Sequence, residues 1–283
     1  NVGYRLIVQI LLIAVFILDI TWCLSPGNNL PSGYQAYLNI LYGDSSQQVL
    51  DIYTTGQKAP TLVYFHGGGW IQGSKDDNYI LDQVFIPYFD KHWNIVNVEY
   101  RLGGNTAPHA PLDALLAINW IRDNGLDFKL DIGNLITMGH SAGGHLALFA
   151  GFSTHGRQGV NIGGIINYLG ITNIAMLEEY LAKKEDPELN YPLYWIGSKK
   201  LVADISNRYS PVFLVTKNSP PVISIHGEKD EVVPYVQAVD LHRILKKSGI
   251  KNLLLPLDTD LHQIFGPELQ KIIDPKIFEF FPY

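Results

Sequence analysis

The stretch TMGHSAGGHLALFAG, residues 137–151, places a serine at the centre of a G-x-S-x-G pattern. A short apolar run typical of a buried strand leads into the pattern, and a helix-like run leaves it. Such a strand–turn–helix is so sharp that the residues beside Ser141 must be small. It would expose the Ser141 hydroxyl at a sheet edge, beside the free N–H groups of a helix start. We therefore predict a reactive serine; a glycine-rich turn with an incidental serine is the alternative.

Strand-like and helix-like segments alternate along the rest of the chain. The first strand, Gln47–Tyr53, alternates apolar and polar residues and is predicted as an antiparallel edge strand. The continuous apolar run Thr61–Gly67 is typical of a strand that is buried on both faces, and Asn94–Tyr100 is predicted as another strand. Helical spacing marks segments such as Pro111–Asn124. The alternation predicts an α/β fold, with a mostly parallel sheet of about eight strands and helices on both faces.

The alternation breaks between Ile171 and Tyr209. This segment is helical in pattern, charged and aromatic, and contains no strand signal. We interpret residues 171–209 as a helical cap inserted over the carboxyl edge of the sheet. The predicted catalytic domain then covers residues 30–283 and includes the cap.

Composition narrows the class of protein. The chain has 283 residues, of which 47% are hydrophobic and 17% charged, which is typical of a globular protein with a large core. A net charge of −6 argues against a nucleic-acid partner, which would require a basic face. The single cysteine, Cys23, leaves no intrachain disulfide and no thiolate metal site. Neither a metal nor an organic cofactor is expected.

The N-terminal segment carries a different signal. Residues 5–20 are apolar apart from Arg5, Gln9 and Asp19, which is typical of a signal peptide or a short membrane anchor within residues 1–25. We expect an exported protein, periplasmic, secreted or associated with a membrane through residues 5–20. A buried N-terminal helix is the alternative.

A second motif, FHGGGW at Phe65–Trp70, ends another buried strand. Three consecutive glycines allow close backbone approach, so that several N–H groups can point at one anionic oxygen. Acyl transfer requires such donors, because the carbonyl oxygen becomes negative in the tetrahedral intermediate. A flexible loop or a phosphate cradle is the alternative, although no Walker lysine–serine pair follows. His66 is predicted to brace the loop.

An acid and a base follow in the order that a serine hydrolase on an α/β sheet requires. Asp230 lies in HGEKDEVVP, directly after a strand, where Glu228 and Glu231 are its competitors. His262 follows 32 residues later, in a loop after the last strand. Asp258 and Asp260 are too close to His262 in sequence to orient it from a separate strand end.

Eight further histidines compete with His262 for the role of the base. The side chain of His140 is expected to leave the serine turn in another direction, and His226 precedes the acid at its own strand end. The remaining ones, apart from His66, lie within helices or in loops without a strand-end motif: His92, His109, His145, His155 and His242.

Segments spread over residues 66–265 together resemble carboxylesterases of the α/β-hydrolase superfamily, near the hormone-sensitive-lipase-like and bacterial feruloyl-esterase-like (BD-FAE) groups. These segments are HGGGW, VEYRL, GHSAGGHLAL, SPVFLVTKNSPPVISIHGEKDEVVP and LHQIF. The resemblance implies ester hydrolysis by Ser141, Asp230 and His262 without a cofactor. It also implies three backbone donors to the oxyanion: Gly68, Gly69 and Ala142.

Two rival functions stay open beside ester hydrolysis. An amidase of the kynurenine-formamidase type shares the glycine loop and the serine turn. A non-catalytic binding module on the same fold is a different class, but such modules usually lack a member of the triad. The many charges of the predicted cap favour small or water-soluble esters over the substrates of a lipase.

Overall fold

The structure, a computed structural model, describes residues 30–184, 186 and 189–282. The chain divides into two units, residues 1–32 and 33–283, and the second holds all of the strands and helices described. The targeting segment predicted within residues 1–25 lies outside the described residues and stays a prediction. Among the described residues, no helix has the length and apolar character needed to cross a bilayer.

Eight strands form one sheet. They are β1 (Gln35–Leu41), β2 (Val49–Thr54), β3 (Thr61–Phe65), β4 (Asn94–Val98), β5 (Leu135–His140), β6 (Ile162–Tyr168), β7 (Val222–Gly227) and β8 (Asn252–Leu257). Their order across the sheet is β1-β2-β4-β3-β5-β6-β7-β8. The first two pairs are antiparallel, and all pairs from β4 to β8 are parallel. The predicted α/β fold with a mostly parallel sheet is confirmed.

Helices connect the strands and pack against the sheet. The α-helices are α1 (Ile86–Asp90), α2 (His109–Asn124), α3 (Ala142–Thr154), α4 (Ile174–Leu181), α5 (Tyr191–Ile196), α6 (Val202–Tyr209), α7 (Val236–Lys247) and α8 (Pro267–Phe280). Helix α3 contacts β3, β5 and β6, and nearly all of its side chains are buried, which explains its apolar sequence. A π-helical turn, Ile80–Val84, precedes α1, and short 3₁₀ turns lie at Gly125–Phe128, Lys199–Leu201 and Pro211–Phe213.

The prediction for the sheet edge is wrong. The segment predicted as the edge strand forms β2, which has a neighbour on either side, and β1 is the edge. Most side chains of β1 are exposed, so its sequence lacks the apolar alternation that marks a half-buried strand. The strand is also interrupted by a bulge between Tyr37 and Ile40, where Asn39 has a φ of 55° and donates its N–H to Asp51.

Because β3 to β8 run parallel, their carboxyl ends lie along one edge of the sheet. The loops that leave β3, β5, β7 and β8 at this edge carry the glycine motif, the serine turn, the acid motif and His262. Four segments that are far apart in sequence are thereby brought to one place.

Helices α4, α5 and α6 lie in the chain between β6 and β7, within the predicted cap segment. The start of this segment is held by Gln237, whose amide oxygen accepts the N–H groups of Thr172 and Asn173 at 2.9 and 2.8 Å. Its end folds back on its start, because the hydroxyls of Ser206 and Ser210 accept the first two N–H groups of α4. Buried and part-buried hydrogen bonds therefore join the two ends of this segment to each other and to α7.

Candidate active site

Ser141 occupies the turn between β5 and α3 in a strained backbone conformation. Its φ of 55° and ψ of −123° lie outside the regions that a residue with a side chain usually adopts. The surrounding structure fixes this conformation, since the Ser141 N–H donates to Tyr168 O at 2.9 Å and His145 N–H donates to Ser141 O at 3.1 Å. Strain of this kind, held by neighbours on both sides, is typical of a nucleophile at the edge of a sheet.

The glycines of the serine motif are required by close backbone contacts. A Cβ atom at position 139 would lie 2.3 Å from the carbonyl of Gly143, and one at position 143 would lie 2.0 Å from Phe65 O. Both neighbours are backbone atoms, so neither contact can be relieved by a side-chain rotation. The small residues predicted at this turn are therefore a consequence of how α3 passes β3.

We expect Gly143→Ala to lower thermal stability strongly and to abolish activity. The methyl group can be accommodated only if α3 moves away from β3, and overpacking of this kind costs about 1–3 kcal/mol or more. Thermal melts and an ester assay test this expectation. Gly133→Ala is the matched control, because its Cβ would meet only the Asp131 carboxylate, at 3.3 Å. A Gly143→Ala variant that melts and reacts like the wild type would contradict the description of the turn.

His262 lies between the serine and the acid. Its Nε2 is 2.9 Å from Ser141 Oγ, and its Nδ1 is 2.8 Å from Asp230 Oδ2. Because a carboxylate only accepts, the ring donates its Nδ1–H to Asp230 and keeps the Nε2 lone pair for the serine O–H. The structure thus brings together the three side chains that were singled out in the sequence.

Asp230 is buried and has partners for both of its oxygens. Oδ1 accepts the N–H groups of Val232 and Val233 at 2.8 and 3.0 Å, while Oδ2 faces His262. The two backbone bonds fix the carboxylate, so that only one oxygen is available to the imidazole. The turn that follows β7 therefore orients the acid as well as carrying it.

The competing acids of the same loop point elsewhere. Glu228 is exposed, and Glu231 is 82% exposed and pairs with Lys184 at 3.4 Å. Neither carboxylate contacts His262 among the hydrogen bonds of the described residues. The structure therefore favours Asp230, rather than Glu228 or Glu231, as the carboxylate that contacts His262.

The loop that carries His262 is anchored by an aromatic side chain that sequence analysis missed. Phe265 packs against the rings of Tyr79, His140 and Tyr168, with centroids 6.1, 5.2 and 5.1 Å away. The only sequence signal is the apolar pair after the histidine in LHQIF, since Tyr79 lies 186 residues away in the chain. This packing restrains the histidine loop near the serine turn.

His140, beside the serine, has no free nitrogen for catalysis. Its Nδ1 is 2.8 Å from the Tyr64 hydroxyl, and its Nε2 is 3.0 Å from the Tyr79 hydroxyl. Burial, together with the nearby His262 and His66, lowers the pKa of His140 to about 3, so the ring is neutral at physiological pH. The expected direction of this side chain, away from the reacting serine, agrees with these contacts.

The glycine loop after β3 adopts backbone conformations that favour glycine. Gly68 and Gly69 have φ values of 114° and 64°, and a Cβ at position 68 would lie 1.9 Å from Gln72 O. In the hydrogen bonds of the described chain, the N–H groups of Gly68, Gly69 and Ala142 have no acceptor. These are the three donors that the resemblance implied, and they are available to a ligand.

The His66 side chain links the glycine loop to Glu99, which follows β4. Its Nδ1 lies 2.7 Å from Gly67 O, and its Nε2 lies 2.8 Å from Glu99 Oε1. Burial alone would raise the pKa of Glu99, but the hydrogen bond and charge of His66, together with the bonds from Lys75 N–H and the Ser74 hydroxyl, lower the pKa below its usual value. The other Glu99 oxygen accepts from Ser74 and Lys75. Sequence analysis placed His66 as a brace but missed Glu99, its partner from the next strand of the sheet.

Another buried histidine, His145, joins the glycine loop to the cap segment. The indole N–H of Trp70 donates to His145 Nδ1 at 3.1 Å, and His145 Nε2–H donates to Tyr209 O at 2.9 Å. Burial lowers the pKa of His145 to about 4, which keeps the neutral form that these two bonds require. Trp70 also stacks on Trp195 of α5, with centroids 4.4 Å apart.

The polar groups at this sheet edge suit covalent chemistry on a carbonyl group. A hydroxyl, an imidazole of fixed tautomer, a buried carboxylate and unused backbone N–H groups are the parts that acyl transfer requires. Within residues 30–184, 186 and 189–282, no cluster of three or more histidine, cysteine or acidic side chains is arranged to hold a metal ion.

The fold and the site together define an α/β-hydrolase. The BD-FAE family model matches residues 50–245, more than half of the chain, and the chain belongs to this family. Family membership agrees with the resemblance found in the sequence.

Individual relatives are more distant. Esterase LipC of Mycobacterium tuberculosis is 28% identical over 237 residues, which cover 77% of this chain and 57% of LipC. Esterase LipQ of the same organism is 26% identical over 229 residues, 75% of this chain and 53% of LipQ. A truncated carbohydrate esterase from gut microbiota superposes with a TM-score of 0.70 at 20% identity, over 91% of this chain and 99% of that one. The chain thus spans little more than half the length of LipC and of LipQ.

Proposed function

We propose that the protein hydrolyses carboxylic esters through an acyl-enzyme formed on Ser141. The observation that carries this proposal is the pair of distances at His262: 2.9 Å from Nε2 to Ser141 Oγ and 2.8 Å from Nδ1 to Asp230 Oδ2. A serine with a hydrogen-bonded base and a base with a buried orienting acid are the parts of a serine hydrolase.

In the first half of the reaction, His262 takes the proton of Ser141 while Oγ attacks the ester carbonyl. The negative charge that develops on the carbonyl oxygen is held by the N–H groups of Gly68, Gly69 and Ala142. When the intermediate collapses, the C–O bond to the alcohol breaks, and His262 gives its proton to the leaving alcohol. Asp230 stabilises the imidazolium between these two proton transfers.

Water completes the cycle. His262 removes a proton from the water, whose oxygen attacks the acyl carbon, and the same backbone donors hold the second oxyanion. The intermediate then releases the carboxylic acid, and His262 returns its proton to Ser141 Oγ. Each proton that leaves a nucleophile in this scheme is delivered to a leaving oxygen, so the enzyme is unchanged after one turnover.

The proposed substrates are esters of small or water-soluble molecules. The cap segment carries charged side chains at its surface, including Glu179, Lys183 and Lys199. A long acyl chain would require a wide apolar cleft instead. That the scissile bond is an ester is supported by the two mycobacterial relatives, both of which are named as esterases.

Hydrolysis of a substrate panel tests the proposal. We expect turnover of p-nitrophenyl acetate and butyrate by the purified protein, falling for octanoate, and little turnover of an N-formyl aromatic amine. Preference for the formyl amide would replace esterase by amidase, and hydrolysis of neither bond would overturn the catalytic interpretation altogether.

A further inference from the structure

Helix α5 begins at Tyr191, and its position is fixed by a buried polar cluster. Asn190, which precedes it, caps the helix by accepting the Leu193 N–H at 3.3 Å. The amide of Asn190 in turn donates to the buried carboxylate of Glu178 at 3.1 Å, and Lys199 pairs with the same carboxylate. The position of Tyr191, the first residue of α5, is therefore fixed by hydrogen bonds within the cap segment.

The Tyr191 ring lies against the glycine loop. A Cβ atom at Gly69 would be 2.9 Å from Tyr191 Cδ2, and the ring centroid is 6.0 Å from that of Trp70. Burial and then the charge of the Asp230 carboxylate raise the pKa of the Tyr191 hydroxyl. The side chain thus lies against a proposed oxyanion donor, and its hydroxyl is within electrostatic range of the acid of the triad.

The Tyr191 hydroxyl is buried and has no hydrogen-bond partner among the described residues. The Asp230 carboxylate does not accept this hydroxyl in the structure: its hydrogen bonds go to the N–H groups of Val232 and Val233 and to His262. The indole N–H of Trp195, one turn along the helix, also lacks a partner, but Trp195 is fully buried and stacks on Trp70, whereas Tyr191, apart from its hydroxyl, is part-exposed and lies against Gly69. A buried donor without an acceptor is costly, so each such group calls for an explanation, and beside a proposed active site a hydrogen bond to the substrate supplies one.

We propose that Tyr191 is a specificity-determining residue that donates its hydroxyl hydrogen to a further oxygen of the substrate, beyond the two oxygens of the ester group. This inference rests on the proposed esterase function. The carbonyl oxygen has its donors in the backbone, so the acceptor for Tyr191 must be another hydroxyl or ether oxygen close to the ester. That oxygen belongs to either the alcohol part or the acyl part of the substrate.

Pairs of esters that differ by one oxygen test this proposal. Hydroxyethyl acetate and propyl acetate differ on the alcohol side, and methyl hydroxypropanoate and methyl butanoate differ on the acyl side, with nearly equal shape within each pair. We expect the wild type to prefer the hydroxylated member of one pair in kcat/KM. Tyr191→Phe should reduce that preference about three- to tenfold, the range for one hydrogen bond.

Tyr194→Phe is the matched control, since Tyr194 lies on the same helix but is 61% exposed. It should keep the wild-type preference, and thermal melts establish that both variants are folded. The inference is overturned if the wild type prefers neither hydroxylated ester, if Tyr191→Phe keeps the preference, or if it lowers kcat/KM equally for all four esters, as a purely structural role would.

The failure of this inference differs from the failure of the proposed function. A wild type that hydrolyses esters through Ser141, with a Tyr191→Phe variant of unchanged selectivity, removes only the role of Tyr191. A wild type without Ser141-dependent hydrolysis of any of the four esters removes both.

Discussion

Ser141→Ala should abolish ester hydrolysis and leave the fold intact. The hydroxyl is the proposed nucleophile, and its loss removes the acyl-enzyme step, for which we expect a fall in kcat on the order of 10⁴-fold or more. Stability should change little, because the backbone bonds that hold residue 141 do not involve Oγ. Turnover of p-nitrophenyl acetate and a thermal melt measure the two effects.

Ser153→Ala, in the last turns of α3, is the matched control and should keep full activity. If folded Ser141→Ala retained more than about 1% of wild-type turnover, the nucleophile would have to be another group.

Asp230→Asn should lower kcat almost as much as Ser141→Ala, because it forces His262 into the tautomer that cannot accept the serine proton. The amide oxygen of asparagine can still accept the N–H groups of Val232 and Val233, so its NH₂ group is left facing His262. The ring must then turn its Nδ1 lone pair toward residue 230 and its Nε2–H toward Ser141, where it cannot accept a proton. The equivalent change in the serine-protease template lowers kcat about 10⁴-fold.

Glu228→Gln and Glu231→Gln are the controls for Asp230→Asn and should retain activity, because neither side chain contacts the imidazole. Comparable losses in kcat for Asp230→Asn and for either glutamine variant would remove Asp230 from its proposed place beside His262.

Ser141, Asp230 and His262 could be predicted because each lies in or beside a motif that is short in sequence. The turn around Ser141 is encoded by glycines within two residues of it, and the acid and the histidine follow strand ends in a fixed chain order. The parallel sheet could be predicted for the same reason, since each buried strand is marked by its own apolar run.

Contacts between distant segments left no such signal. Glu99 acts on the glycine loop through His66, and Phe265 holds the histidine loop by packing against rings from three other segments. Tyr191 lies beside Gly69 because the start of α5 packs against the loop that follows β3, a contact between segments more than 100 residues apart in sequence. Strand β1 was missed for a different reason: its exposed side chains remove the alternation by which a strand is recognised.

Covalent labelling of the serine tests the central claim most directly. The protein is incubated with a p-nitrophenyl alkylphosphonate, which a serine nucleophile attacks to form a stable adduct, and the adduct is located by peptide mass spectrometry. We predict a single adduct on Ser141 that accumulates in parallel with the loss of esterase activity and is absent from Ser141→Ala. An adduct on a different residue, or complete labelling of Ser141 with activity unchanged, would contradict the account.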